Sequence, residues 1–382
     1  MDSKAILVVG SGFSGSVISR KLAENGFKVV CIDKRNHIAG NCYTERHENG
    51  VMVHKYGPHI FNTNDKSIWE YVNNFGEFMP YKNKVIANTP KGIFSMPMNL
   101  LTINQFFNKK LTPSTIVEFL NELSIKIENP KNFEEQALMF LGEDLYKNFF
   151  YGYTKKQWGC EPKELPASIL KRIPIRFNYD DNYYNSFFQG IPKEGYTKVI
   201  EEILNHKNIQ VQLSTEYNKK MNSNFEHVFY TGALDKYYDY KFGMLGYRTV
   251  FFEEKTYKGD YQGNAVINYC DEKVSYTRVH EHKHFSPWEN HENSVILTEY
   301  SKETTRNDEP YYPKRLEKDI EILELYKKQV YIDDENVSFV GRLATYRYLD
   351  MDKVIKEAID YANYFIENIN KKVQYKFSDF QE

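Results

Sequence analysis

Gly10, Gly12 and Gly15 stand at Gly-x-Gly-x-x-Gly spacing, and the chemistry of that spacing is the capture of a pyrophosphate by bare backbone. In Gly10-Ser11-Gly12-Phe13-Ser14-Gly15 the first glycine permits a tight turn and the second lets the chain approach the phosphates. The third lets a helix pack closely on a strand, and the free N–H groups and positive end of that helix then face the anion. Asp33 follows about twenty residues on, where a carboxylate takes ribose hydroxyls. Farther along, Tyr276, Arg278, His280 and His282 alternate onto one face of a strand, so an arginine projects among aromatic and imidazole groups. Alternating histidines invite a metal reading, but no carboxylate or cysteine completes a sensible shell, and no metal is expected. A third group, Phe149-Phe150-Tyr151-Gly152-Tyr153-Thr154-Lys155-Lys156-Gln157-Trp158-Gly159, has rings whose spacing fits neither a helix face nor a strand. Flat rings on an irregular segment suit stacking on a base, worth about 1–3 kcal/mol per base, with a core aromatic cluster as the alternative.

These groups need elements to hold them. Ala5-Ile6-Leu7-Val8-Val9 reads as a buried parallel strand, Val17, Ile18, Leu22 and Ala23 as the helix after the glycines, and Lys28-Val29-Val30-Cys31-Ile32 as a second strand. The turn Arg35-Asn36-His37-Ile38-Ala39-Gly40-Asn41 resembles the Arg-x-x-x-Gly-Gly turn of flavoproteins of the two-dinucleotide-binding type, with Ala39 in place of the first glycine; this favours FAD over NAD. Residues 51–63 alternate into a strand that breaks at Gly57-Pro58, leaving His59 on a loop, either structural or within reach of flavin or substrate. Thr112 with Pro113 caps a helix whose stripe is Ile116, Phe119, Leu120, Leu123 and Ile127, and Asn132 with Glu135 forms a capping box for a second helix ending near Gly142. Arg172 and Arg176 flank Pro174, which makes a helix there unlikely to form. From about 196 a helix and two strands, Ile209–Leu213 and Val228–Thr231, return to dinucleotide-domain texture. Runs at Tyr247–Phe252, Asn264–Tyr269, Ser275–His282 and Ser294–Tyr300 suggest an antiparallel sheet. Val337–Arg342 then leads to a helix starting at Met351.

The expected class is α/β: a discontinuous Rossmann-like FAD-binding domain (1–80, 193–243 and 314–382), an inserted helical domain with a mobile substrate loop (99–165), and an antiparallel-sheet substrate domain (81–98, 166–192 and 244–313). With 382 residues and a formal net charge of −2, the chain has no global field for nucleic acid or an anionic membrane, so any anion site must be local. Met1-Asp2-Ser3-Lys4 runs straight into the first strand and no apolar run approaches the ~20 residues a bilayer needs, so a soluble, cytoplasmic protein is expected. Four dispersed cysteines argue against disulfides and zinc. The 31 Tyr and 26 Phe exceed what a core needs, as in a cleft for an oxygen-rich, ring-bearing ligand.

His54-Lys55-Tyr56-Gly57, His59-Ile60-Phe61, Gly152–Gly159, Lys171-Arg172-Ile173-Pro174, Gln189-Gly190-Ile191-Pro192, Gly263–Asn268, Glu309-Pro310-Tyr311-Tyr312-Pro313 and Gly341-Arg342-Leu343-Ala344 together resemble the bacterial UDP-galactopyranose mutase family across nearly the whole chain. The resemblance implies interconversion of UDP-galactopyranose and UDP-galactofuranose without net redox change. Reduced flavin N5 attacks the anomeric carbon, UDP leaves, the sugar ring opens and recloses, and UDP returns. It further implies FAD active when reduced, an external reductant, a homodimer, and galactofuranose for cell-surface polysaccharides. Arg172 and Arg278 match the two diphosphate arginines, and Tyr183, Tyr312 and Tyr348 match phosphate-directed tyrosines. Phe149, Phe150, Tyr153, Thr154 and Trp158 match the uridine and mobile-loop region, while Asn83, His59 and Asn268 lie near sugar or flavin. The cofactor set comprises Gly10, Gly12, Phe13, Ser14, Gly15, Asp33, Lys34, Arg35, Gly40, Asn41, Tyr56, His59, Ile60, Val211, Gly341, Arg342, Asp350, Met351 and Val354. Asn62 replaces the second histidine of the family's His-x-x-His, so no role carries over there. Two rivals share the cofactor domain: an amine-oxidase-like FAD oxidoreductase, which has no use for paired diphosphate arginines, and a non-catalytic nucleotide-sugar-binding flavoprotein.

Overall fold

The computed structural model describes residues 5–172, 175–333 and 336–369. Five parallel strands form its first sheet, in the order Ile209–Gln212, Val29–Ile32, Ile6–Val9, Val228–Tyr230 and Val337–Phe339. Their continuous apolar runs are explained by cover on both faces. Ile6, Val8 and Cys31 pack with the helices Phe13–Glu24, Gly195–Leu204 and Met351–Asn368, whereas Leu7, Ile32 and Tyr230 pack with Tyr237 and with Leu323, Tyr326 and Val330 of the helix Glu317–Asp333. Strands contributed from residue 6 to residue 339 make this layer discontinuous in sequence, as read from the motif's recurrence.

A second sheet has seven strands, ordered Tyr312–Pro313, Tyr247–Lys258, Asn293–Glu303, Arg278–Glu281, Val266–Tyr269, Val85–Thr89 and Gly92–Met96. It is antiparallel except where Val266–Tyr269 runs parallel to Val85–Thr89. Register puts Asn268 opposite Arg278 and Arg278 opposite Glu299, so three neighbouring strands bring these side chains to one face. Phe188–Pro192 pairs antiparallel with Phe61–Thr63 and Phe78–Pro80 in a separate three-stranded sheet.

The helical lobe corrects several expectations. After the helix Leu100–Phe107, the helix expected beyond Thr112 is Ile116–Leu123 with Thr115 at the N-cap; Ser124 ends it in an extended conformation and leaves Ile127 outside. Asn132 caps the next helix by accepting from Glu135 N at 2.9 Å, while Glu135 reaches back to Lys131 N rather than to Asn132. Gly142 (φ 72°, ψ 174°) leaves helical geometry and divides the run Phe133–Leu145 into two helices, so the first of them ends where the sequence placed its end. The aromatic segment is helical, not irregular: Tyr146–Tyr151 winds as a π-helix and continues as the α-helix Gly152–Trp158. A π-turn shifts the phase of the side chains, which is why no single helical period fitted the rings. Residues 167–172 also form a short 3-10 helix up to the proline-containing stretch. None of the described helices is long and apolar enough to cross a membrane.

Candidate functional site

The Gly12 N-cap (φ −75°, ψ −175°) starts the helix Phe13–Glu24 with no side chain capping it and no acid in its first turn, so its leading N–H groups are left to an anion. Around it opens a cavity of about 740 Å³ lined by Gly10, Gly12, Phe13, Ser14, Asp33, Lys34, Arg35, Gly40, Asn41, His59, Arg342, Met351 and Val354 from the expected cofactor set. The turns touch backbone to backbone. A Cβ on Gly15 would lie 1.8 Å from the Gly10 carbonyl oxygen, and one on Gly40 would lie 3.2 Å from Gly12 Cα. Ala39, standing where flavoproteins carry a glycine, adopts φ 73° and donates its N–H to Ser11 O at 3.0 Å. The Asp33 carboxylate accepts from Ser11 N and Oγ at 2.8 and 2.7 Å and from Arg35 N at 3.0 Å, which fixes it at the cavity wall.

Other members of the set stand off the cavity. Gly15 and Gly341 shape its turns, Asp350 is the N-cap of the Met351 helix, and Ile60 is buried in the core behind. Tyr56 lies beneath the Arg35 guanidinium at 4.3 Å and bonds His37 at 2.8 Å, one layer out. Val211 pairs with Cys31 in the edge strand and is 36% exposed; the cavity is reached instead by Thr215–Lys219, just beyond that strand's carboxyl end. That loop and Thr304–Glu309 were missed in the sequence. The first was findable, because ligands of parallel sheets bind at carboxyl ends of strands. Glu309 closes the second loop onto Lys34 at 2.5 Å and Arg35 at 3.1 Å.

Next to this cavity lies an aromatic cleft around Arg278. Its side chain is 25% exposed, and its Nε and Nη2 donate to Glu299 Oε1 at 2.9 and 2.7 Å. Glu299 is 1% exposed and its other oxygen takes His280 Nε2 at 2.9 Å. Burial opposes the carboxylate's charge, but Arg278 and His280 overcome it and hold its pKa down to about 2; the same pairing holds the Arg278 pKa well above normal. Arg278 acts electrostatically on Tyr153, Tyr183, Tyr184 and Tyr312, whose burial pushes each hydroxyl pKa up, so all four stay proton donors at neutral pH. Tyr312 stacks on Tyr348 at 5.9 Å, and the Arg342 guanidinium lies 5.3 Å over the Tyr348 ring. Arg342 Nη2 donates to Tyr311 O at 2.8 Å, whereas its buried Nε has no partner among the described residues. Asn83 Oδ1 and Asn268 Oδ1 are likewise buried without partners. His59 joins the two regions: Nδ1 donates to Gly57 O at 2.8 Å, and burial with Arg342 and Arg278 nearby lowers its pKa to about 4, leaving a neutral imidazole on the cavity wall.

The remaining candidates separate. Phe149 and Phe150 are 2% and 3% exposed, inside the helical-lobe core with Phe94, Phe106 and Phe133, so the core alternative applies to them. Thr154 is buried and Trp158 half-buried on the same helix as Tyr153. Arg176 pairs with Asp180 at 2.5 Å, and Arg248 with Glu303 at 2.9 Å; both are buried and structural. The side chain of Arg172 lies outside the described residues. The alternating histidines diverge, with His280 on Glu299, His282 buried 5.9 Å from the His54 ring, and His284 2.9 Å from Asp260. Cys31 and Cys270 are buried, Cys42 and Cys160 half-buried, and all four are free thiols.

Parallel sheet, glycine turns and cavity define an α/β protein of the dinucleotide-binding class with an arginine-tyrosine cleft beside the cavity. A model of the NAD(P)-binding Rossmann-like domain matches residues 8–75, and the UDP-galactopyranose mutase model matches residues 148–348. A curated relative described as a probable UDP-galactopyranose mutase, from Klebsiella pneumoniae, is 53% identical over 97% of this chain and 96% of its own length. A dTDP-fucopyranose mutase of Escherichia coli is 52% identical over 95% and 98%. Among solved structures, a reduced UDP-galactopyranose mutase superimposes with TM-score 0.75 at 14% identity, covering 98% of this chain and 96% of its own. This chain belongs to the UDP-galactopyranose mutase family and is an enzyme of the isomerase class.

Proposed function

We propose that this chain interconverts UDP-galactopyranose and UDP-galactofuranose, with FAD in the dinucleotide cavity and active in its reduced form. The uncapped helix end at Phe13, the close glycine turns and the partnerless Arg342 Nε suit such a cofactor. When bound and reduced, the flavin supplies an electron-rich nucleophile for the anomeric carbon. The chain's own residues do the rest. The first-turn N–H groups hold the cofactor pyrophosphate, Asp33 takes ribose hydroxyls, and the Met351 helix turns its positive end toward the flavin. Charge that builds on the departing diphosphate meets Arg278, pre-aimed by Glu299, together with Arg172. Each charged hydrogen bond is worth about 1.5–3 kcal/mol. Tyr183, Tyr312 and Tyr348 donate hydroxyl protons to the same phosphates, Asn83 and Asn268 take sugar hydroxyls, and neutral His59 offers Nε2 to sugar or flavin. Tyr153, Thr154 and Trp158 border the uridine, a role that buried Phe149 and Phe150 do not share. A second copy of the chain, an external reductant and delivery of galactofuranose to surface glycans complete the reading.

The observation that carries it is a guanidinium locked by a buried carboxylate among four tyrosine hydroxyls, beside a dinucleotide cavity. The test is turnover of UDP-galactofuranose by dithionite-reduced protein, with the isomers separated afterwards; no pyranose product means no such activity. The near-equal likeness to a dTDP-fucopyranose mutase supports a second reading, the same ring exchange on a dTDP-linked 6-deoxy sugar. Running both furanose substrates in parallel decides between them. Oxygen uptake with an amine and no isomer exchange would favour the amine-oxidase reading.

A further inference from the structure

Lys156 sits one turn after Tyr153 on the helix Gly152–Trp158, against the turn joining the strands of Asn268 and Arg278. Its Nζ donates to the main-chain carbonyls of Tyr269, Asp271 and Tyr276 at 2.8, 2.9 and 2.8 Å. Three acceptors use all three protons of an ammonium. Gly152 brings the helix so near this turn that a Cβ would lie 2.4 Å from the Cys270 carbonyl oxygen and 2.6 Å from Glu272 N. The helix's far end is held separately, as Arg248 Nε and Ser301 Oγ donate to Gln157 O at 3.0 and 2.7 Å. Neighbouring Lys155 pairs with Glu161 at 2.8 Å and reaches the turn only through Glu272 at 3.7 Å, on an exposed carboxylate. A half-buried ammonium is a costly way to fill space that a methionine would fill; what it adds is directed bonding to three backbone points.

We propose that Lys156 is a positioning residue for the mutase reaction, its ammonium tying the helix of Tyr153 to the hairpin of Asn268 and Arg278 and so setting the width of the diphosphate grip. This rests on the proposed function. The groups facing Lys156 are Cys270 and Asp271 in the turn, the flanking Tyr269 and Tyr276, and Arg248, which donates to the Lys156 carbonyl at 3.4 Å. Burial lowers the Lys156 pKa to about 8, and above that pH a neutral amine has only two protons for three carbonyls.

The test uses flavin-loaded full-length protein with Lys156→Met and Lys156→Arg, measuring turnover of UDP-galactofuranose and, separately, UDP affinity by fluorescence quenching. Lys156→Met should raise KM and the UDP Kd about tenfold with kcat changed less than about twofold, and Lys156→Arg should recover most of the loss. In wild type KM should climb as pH passes about 8, and in Lys156→Arg, which does not titrate there, it should stay flat. Unchanged KM and Kd in folded Lys156→Met, or the same alkaline rise in Lys156→Arg, overturns the proposal. Should Lys156→Met fail to fold, the pH profiles of wild type and Lys156→Arg decide it. If wild type shows no turnover, the functional reading has failed while the UDP Kd still tests Lys156.

Discussion

The dinucleotide cavity and the Arg278 cleft lie side by side but are built from different material. The cavity's phosphate wall comes from one near-contiguous stretch, Gly10 to Asn41, where glycines let two turns touch backbone to backbone. The cleft is made of side chains brought from residues 153, 183, 268, 278, 299, 312 and 348 by four sheet strands, a helix and loops. A backbone surface fails by steric overlap; a side-chain surface fails by losing charge or aim.

That contrast sets the expected sizes of effect. Gly15→Val should be the most severe, since a Cβ 1.8 Å from the Gly10 carbonyl oxygen has no room; colourless, destabilised protein in visible spectra and melting curves is expected. Gly12→Ala sharpens the point, because its Cβ would meet nothing nearer than Gly40 Cα at 3.9 Å. It should melt like wild type while binding flavin more weakly.

In the cleft, Arg278→Ala should keep its flavin spectrum and lose at least about 100-fold in kcat/KM, and Arg172→Ala should behave alike. Bleached protein would place these arginines in folding instead. Glu299→Gln should lose less turnover and carry a pH signature. A carboxylate held at about 2 against an ordinary 4.5 stabilises the fold above 4.5, and that contribution fades as pH falls toward 2. The Tm gap between wild type and Glu299→Gln should therefore narrow on acidification.

The buried histidines act in another window. Burial lowers His54 and His227 to about 3 and His59 to about 4, against 6.5 in the unfolded chain. The unfolded state binds more protons between those limits, so wild-type stability should fall as pH drops from 6.5 toward 4, read by denaturant midpoints. His227→Gln should flatten that fall partly, without touching turnover. The smallest effect belongs to Val211→Ala, where flavin affinity should change less than about twofold because the side chain stands off the cavity.

By itself the sequence determined the parallel layer and its glycine turn, because strand, turn and helix there are adjacent and each residue's job is local. It also marked Arg278 as a charge among rings and capped the helix after Asn132. Tertiary structure alone decided the rest. The π-turn at Tyr146–Tyr151 hid the split between core Phe149 and cleft-facing Tyr153, since helical phase is set by packing. Glu299 gains its role only through register, which sets it opposite Arg278. Lys155 and Lys156 are adjacent and of one type, and folding gives Lys156 three carbonyls and Lys155 a carboxylate. Partners far apart in sequence leave no local trace, and only the folded chain chooses among them.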